Sequence, residues 1–305
     1  MNASIKKPLL CSGCAVLLLQ PLLIATAQER QDDDRRHEPK LIEFDAPLAG
    51  TVSAPACAPD CGTLAYAVNG RGVIVGWYTD TNIVPHGFLR TPEGQITSFD
   101  APGAGLGYGL DQGTYATSIN DRDVIAGQFQ DSSNVFHGYV RYPDGAFATF
   151  DAPGAGTQAY QGTTGEGLNE AGEAVGYYVD GNNVYHGFLR ARDGSFTEFD
   201  APGAGSQAGQ GTAAFSLNPE QAITGIYIDG SNVLHGFLRY PDGAFTTIDA
   251  PGAGSRANQG TRPEFIDAAC VITGFYFDEG GVSHGFLRSA DRRCESDFHQ
   301  DSRKD

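Results

Sequence analysis

The sequence predicts an all-β chain: a five-bladed β-propeller of four-stranded antiparallel blades, its ring closed by an N-terminal strand that completes the C-terminal blade. Three observations lead there. One phrase returns five times, as His86-Gly-Phe-Leu-Arg90, His137-Gly-Tyr-Val-Arg141, His186-Gly-Phe-Leu-Arg190, His235-Gly-Phe-Leu-Arg239 and His284-Gly-Phe-Leu-Arg288, at spacings of 51, 49, 49 and 49 residues. That period suits four short strands and marks an array of like modules. The strands within a copy are apolar on both sides, which fits sheets packed between two neighbouring sheets, as in a propeller, rather than sandwich strands with one wet face. Finally, the last copy stops after its third strand, and a segment resembling the missing fourth stands before the first copy.

The N-terminal residues read as an export signal. Lys6 and Lys7 precede an apolar run over 8–24 and the small-residue site Ala25-Thr26-Ala27, so cleavage is expected after Ala27. Ser12, Gly13, Gln20 and Pro21 interrupt the run and argue against a membrane anchor. Cys11 and Cys14 would leave with this segment. Residues 28–39 and 295–305 are polar and are expected to be disordered tails around a propeller over 40–294. Removing residues 1–27 leaves a net charge of −19, which argues against nucleic acid or an anionic membrane as partner. No second span is expected, so the product should be a soluble, secreted or periplasmic protein, read as a monomer.

The copy beginning at Gly162 shows how each blade is built. Residues 163–169 form a first strand, 173–179 a second with Gly176 inside it, 184–191 a third and 195–200 a fourth. Asp193-Gly194 reads as a two-residue hairpin turn, repeated as Glu93-Gly94, Asp144-Gly145 and Asp242-Gly243. That register sets Phe188 opposite Phe199, with Leu189 and Phe196 on the other side. The glycines at 76, 127, 176, 225 and 274 sit inside second strands and predict a bulge or a close sheet approach. Asn69, Asn120, Asn169 and Asn218, with Asp267 in the fifth copy, read as turn residues.

The last copy lacks both the turn glycine and the Phe-Asp-Ala-Pro strand, and residues 40–47, Lys-Leu-Ile-Glu-Phe-Asp-Ala-Pro, supply that pattern. Insertion there would close the ring and leave no sheet edge open. The long loops 100–114, 151–163, 200–212 and 249–261 then share one face. Cys57, Cys61, Cys270 and Cys294 form an even set that suits oxidising surroundings, and the expected bridges are Cys57–Cys61 in the long loop over 45–63 and Cys270–Cys294 at one end of the last blade.

The repeated text, an Asn turn, a Val-Gly-Tyr-like strand and His-Gly-Phe-Leu-Arg, resembles the exported bacterial repeat family named for its His-Ala-Phe motif. Gly87, Gly138, Gly187, Gly236 and Gly285 stand where that name has alanine. The resemblance covers residues 40–290. It implies export, and it brings no established activity.

His86, His137, His186, His235 and His284 each follow a turn acid by six residues, namely Asp80, Asp131, Asp180, Asp229 and Asp278. Five equal copies suit a hydrogen-bond pair that holds each blade better than one asymmetric catalytic site. Asp45, Asp100, Asp151, Asp200 and Asp249 precede Ala-Pro and read as loop starters; calcium could sit beside them, but no metal or cofactor is predicted.

Function is sought where the copies differ. Tyr66, Thr117, Glu166, Phe215 and Glu264 occupy one equivalent position on the innermost strand. Glu166 and Glu264 make the one candidate acid/base pair for polysaccharide cleavage, read more simply as polar channel lining. The loops offer Tyr108, Gln112, Gln158, Tyr160, Gln161, Gln207, Gln210, Arg256 and Gln259, amides and rings suited to a hydroxyl-rich ligand. The expected function is therefore noncatalytic binding of a glycan or other envelope component on the long-loop face, with a polysaccharide hydrolase or a protein-binding scaffold as alternatives.

Overall fold

The structure is a computed structural model that describes residues 41–50, 62–107, 112–291 and 293. The signal segment, both polar tails, Cys57, Cys61, Cys294 and Tyr108 lie outside the described residues. The chain divides at Phe44. Of the first part only residues 41–43 are described, and all are exposed; the β structure lies in the second.

Among the described residues there is no α-helix, and the strands form repeated antiparallel units. The first holds β1 (Gly62–Val68), β2 (Ile74–Thr79), β3 (Pro85–Arg90) and β4 (Ile96–Phe99); the second β5 (Gly113–Ile119), β6 (Ile125–Gln130), β7 (Phe136–Arg141) and β8 (Phe147–Phe150). The third holds β9 (Gly162–Leu168), β10 (Ala174–Val179), β11 (Tyr185–Arg190) and β12 (Phe196–Phe199), and the fourth β13 (Gly211–Leu217), β14 (Ile223–Ile228), β15 (Leu234–Arg239) and β16 (Phe245–Ile248). A final unit has three strands, β17 (Gly260–Ile266), β18 (Ile272–Phe277) and β19 (Ser283–Arg288).

The apolar cores lie between units, as the two-sided strands require. Phe99 and Ala101 of the first unit pack with Ile125, Phe129 and Tyr139 of the second. Phe150 and Ala152 meet Tyr178 and Phe188, and Leu238 and Ile248 meet Ile266 and Ile272. Each fourth strand thus covers the following unit. Asn side chains sew the same joints at the other end: the Nδ2 groups of Asn69 and Asn120 donate to the carbonyls of Asn120 and Asn169 at 3.0 and 3.1 Å.

Single parallel bridges also join units, at Phe136–Gly162, Tyr185–Gly211 and Leu234–Gly260. The first unit remains a separate sheet because its equivalent residue is Pro85. The N–H groups of Phe136, Tyr185 and Leu234 donate to the carbonyls of Gln161, Gln210 and Gln259 at 2.8 Å, and proline has none to give.

The glycines inside the second strands mark bulges, as expected. At Gly176 a Cβ would lie 1.9 Å from the carbonyl oxygen of Thr164, and the ladder skips Glu166, pairing Gly176 with Gly165 and Val175 with Gly167. The hairpin register, in contrast, differs from expectation. The turn closes through Ala191 N–H to Ser195 and Gly194 N–H to Ala191, with Gly194 at φ +92°. This three-residue loop shifts the pairing by one: Phe199 faces Gly187 and Phe188 faces Glu198. Phe188 therefore shares its side with Phe196, their rings 5.5 Å apart.

No strand among the described residues pairs with the outer edge of β19, and residues 44–50 form no strand. The two end faces are correspondingly bare. Val68 is 64% exposed where its counterparts Ile119 and Ile266 are 8% and 7%, and Leu287 is 69% exposed where Leu238 is 0%. Phe44 and Ala46 nevertheless pack on Tyr78 and Phe88 of the first unit, as Phe99 and Ala101 pack on the second.

Candidate functional site

The bulge gives the inner strands their chemistry. In all five units the residue skipped by the ladder differs from copy to copy: Tyr66, Thr117, Glu166, Phe215 and Glu264. A bulge re-aims the side chain it frees, and all five line one cavity of about 570 Å³ bordered by the inner strands of every unit. This volume suits a small ligand. The cavity extends toward the long loops at Tyr185, Gly211, Leu234 and Asn258.

Two carboxyl groups meet one guanidinium there. Arg262 Nε donates to Glu264 Oε1 at 2.5 Å, and the guanidinium carbon lies 4.4 Å from the centre of the Phe215 ring. Glu166 has no hydrogen bond to any described residue. Burial pushes its carboxyl up to about 8, Arg262 pulling it down and Glu264 adding to the rise. Tyr66 is raised as well, by burial first and then by Glu166 and Glu264. Aromatic walls complete the site: Tyr177 and Tyr185 stack edge to face at 5.6 Å, and Tyr66 lies 5.0 Å from Trp77.

Sequence comparison of the copies found the bulge residues but passed over Arg262, Tyr177 and Tyr185. The signal was present. Arg262 stands where the other units have Leu64, Tyr115, Thr164 and Ala213, and Tyr177 where they have Trp77, Gln128, Ile226 and Phe275. These positions also vary between copies, and Arg262, Ala213, Tyr177 and Ile226 from them line the same cavity.

The loop amides are placed differently from a ligand-facing set. Gln161 is buried; its Oε1 accepts from the Gln158 N–H and its Nε2 donates to Asn183 Oδ1, both at 3.0 Å. Gln210 repeats this with Gln207 and Asn232, and Gln112 with Gly107 and Asn134. Gln259 binds the Arg256 N–H and the Glu279 carbonyl. These side chains fold the loops. Gln158, Tyr160, Gln207 and Arg256 remain exposed on them.

The repeated histidines bond within their units, though mainly to a different acid from the one expected. His86 and His137 Nδ1 lie 2.8 Å from Asp100 and Asp151, and His186 and His235 Nδ1 lie 3.0 Å from Asp200 and Asp249. The expected partners Asp80, Asp131, Asp180 and Asp229 lie 3.5 to 3.8 Å from Nε2; their Oδ1 atoms instead cap the turn, as Asp180 does for the N–H groups of Asn182 and Val184. Only in the last unit, which has no fourth strand among the described residues, does the turn acid come close, with His284 Nε2 3.1 Å from Asp278. Each ring also stacks on a neighbour, as His186 does on Tyr178 at 5.0 Å. Beside the first of these pairs lies a second cavity of about 690 Å³, lined by Pro47, Leu48, Asp80, His86 and Asp100 among others.

Cys270 is buried and disulfide-bonded; Cys294, its expected partner, lies outside the described residues. No cluster of metal-ligating side chains occurs among the described residues, and no helix there is long and apolar enough to cross a membrane.

No family model matches the chain, and no curated protein matches it. Among solved structures it is similar to an arginine-substituted mutant of AofleA from Arthrobotrys oligospora, with 15% identity, a TM-score of 0.39, and 74% of this chain and 70% of that one covered. It is also similar to a mutant of the Aleuria aurantia lectin AAL in complex with Fucα1-6GlcNAc, with 13% identity, a TM-score of 0.26, and 72% and 89% covered.

Proposed function

We propose that this chain is an exported, noncatalytic five-bladed propeller that binds a hydroxyl-rich ligand, a glycan of the cell envelope or surroundings, at its axial cavity and the long loops above it. The observation that carries this reading is the convergence of the five bulge residues, Tyr66, Thr117, Glu166, Phe215 and Glu264, on one aromatic-walled cavity of about 570 Å³. Flat rings such as Tyr177 and Phe215 match the apolar faces of a sugar, while Glu166, Glu264, Arg262 and Asn258 supply fixed polar partners. Cleavage is disfavoured because the units are near copies of one another, whereas a two-carboxyl hydrolase sets its pair in one asymmetric site.

Ring closure belongs to this reading, since an open seam would leave the cavity without one wall. The contacts of the N-terminal segment with the first unit support it, because they resemble those a fourth strand makes with the unit after it. Ala46 N–H donates to Thr63 Oγ1 at 2.9 Å, as Ala152 does to Thr163 at 2.9 Å. Arg90 lies 4.7 Å from the Phe44 ring, as Arg190 does from Phe150 at 4.7 Å. Moved against β19, this segment would set Phe44 over Gly285, Asp45 beside His284 and Val68 against Leu287.

A glycan array probed with the mature chain tests the binding. The expected result is retention on a defined set of glycans, weakened about ten-fold by Phe215→Ala, the cost of losing one stacking ring. Silence on every glycan, or binding untouched by Phe215→Ala, would overturn the assignment.

A further inference from the structure

The axial cavity holds two carboxyl groups and one guanidinium. Glu264 and Arg262 form a close pair, and the guanidinium is further fixed over Phe215. Glu166 faces the same space with no hydrogen bond to a described residue, and the bulge that aims it there is built into the ladder. A buried carboxylate without a hydrogen-bond partner is costly unless a proton or a cation joins it, and Arg262, already paired with Glu264, offsets only part of that cost. Around it stand Tyr66, Tyr177 and Phe215, and aromatic faces attract compact cations. The chain as a whole, at net −17, draws cations toward it.

We propose that the cavity selects sugars bearing a free ammonium group, with Glu166 as the counter-ion, so that amino sugars bind in preference to their N-acetylated forms. The inference rests on the glycan reading and refines it. A neutral sugar leaves Glu166 to keep its own proton. An ammonium replaces that proton, and the displaced proton passes to the solvent. Arg262 and Glu264 remain paired and do not compete for the ligand, while Tyr66 and Tyr177 offer neutral faces at working pH. Hydroxyl recognition by the walls is common to both sugar types, so the difference between them isolates Glu166.

Calorimetric titration at pH 7 with the β-1,4-linked glucosamine dimer and with its N-acetylated counterpart tests this. The amino dimer is expected to bind at least about ten-fold more tightly, as one desolvated charge pair provides. In Glu166→Gln that advantage should vanish, the two dimers then binding alike, and an unchanged melting temperature would show the fold intact. Equal affinities in the unaltered chain would overturn amine selection and leave glycan binding standing. A preference that persists in Glu166→Gln would remove Glu166 from the role. Failure of both dimers to bind, with other glycans retained on the array, would overturn the amino-sugar assignment alone; failure of every glycan would overturn both.

Discussion

The ring of Phe199 covers Gly187, so closely that a Cβ at that glycine would stand 2.5 Å from the ring edge. The same contact recurs between Phe99 and Gly87 and between Phe150 and Gly138, at 2.4 and 2.2 Å. It is the physical content of the repeated His-Gly-Phe text. In a chain whose fourth strand carries phenylalanine at this station, the alanine of the resembling family's motif has no room.

Gly187→Ala should therefore destabilise the chain by about 1–3 kcal/mol, the usual cost of overpacking. Gly285→Ala should be nearly silent if β19 stays uncovered, because nothing lies closer to that position than the Gly274 carbonyl oxygen at 4.0 Å. Thermal melting of both variants gives the comparison.

The His–Asp pairs predict a pH dependence. The hydrogen bonds that Asp100 and Asp151 accept raise His86 and His137 above their ordinary value, against the opposing pull of burial. A raised histidine contributes stability that is fully present below its unfolded value, about 6.5, and is lost as pH rises through the folded one. Melting temperature should thus fall between slightly acid and mildly alkaline conditions, and Asp151→Asn should flatten that slope. A slope unchanged in Asp151→Asn would place its origin elsewhere.

The periodic parts of this fold were legible because each repeated residue answers one local demand. Gly176 marks a bulge, Asn120 a turn, and the strands on either side of them are apolar on both faces. Register was not legible. Whether Asp193-Gly194 closes a loop of two residues or three changes no residue in the text, yet it moves Phe199 from opposite Phe188 to opposite Gly187. The partner of His186 was hidden for the same reason: Asp200 lies 14 residues away along the chain and reaches the ring only through that pairing. At the site, comparing copies found Glu166 and Glu264 because the bulge frees them from the ladder. It passed over Arg262, whose pairing with Glu264 depends on the turn of the strand between them.

The most direct test of the whole account is a cross-link across the proposed seam. In the Phe44→Cys/Gly285→Cys double variant, the two sulfurs should meet only if the N-terminal segment lies beside β19. Non-reducing peptide mapping of the monomer is expected to recover residues 44 and 285 in one linked fragment, as it should residues 87 and 99 in a Gly87→Cys/Phe99→Cys control, whose strands are paired. A control that links while residues 44 and 285 stay apart would contradict closure, and with it the enclosed cavity on which the binding proposal depends.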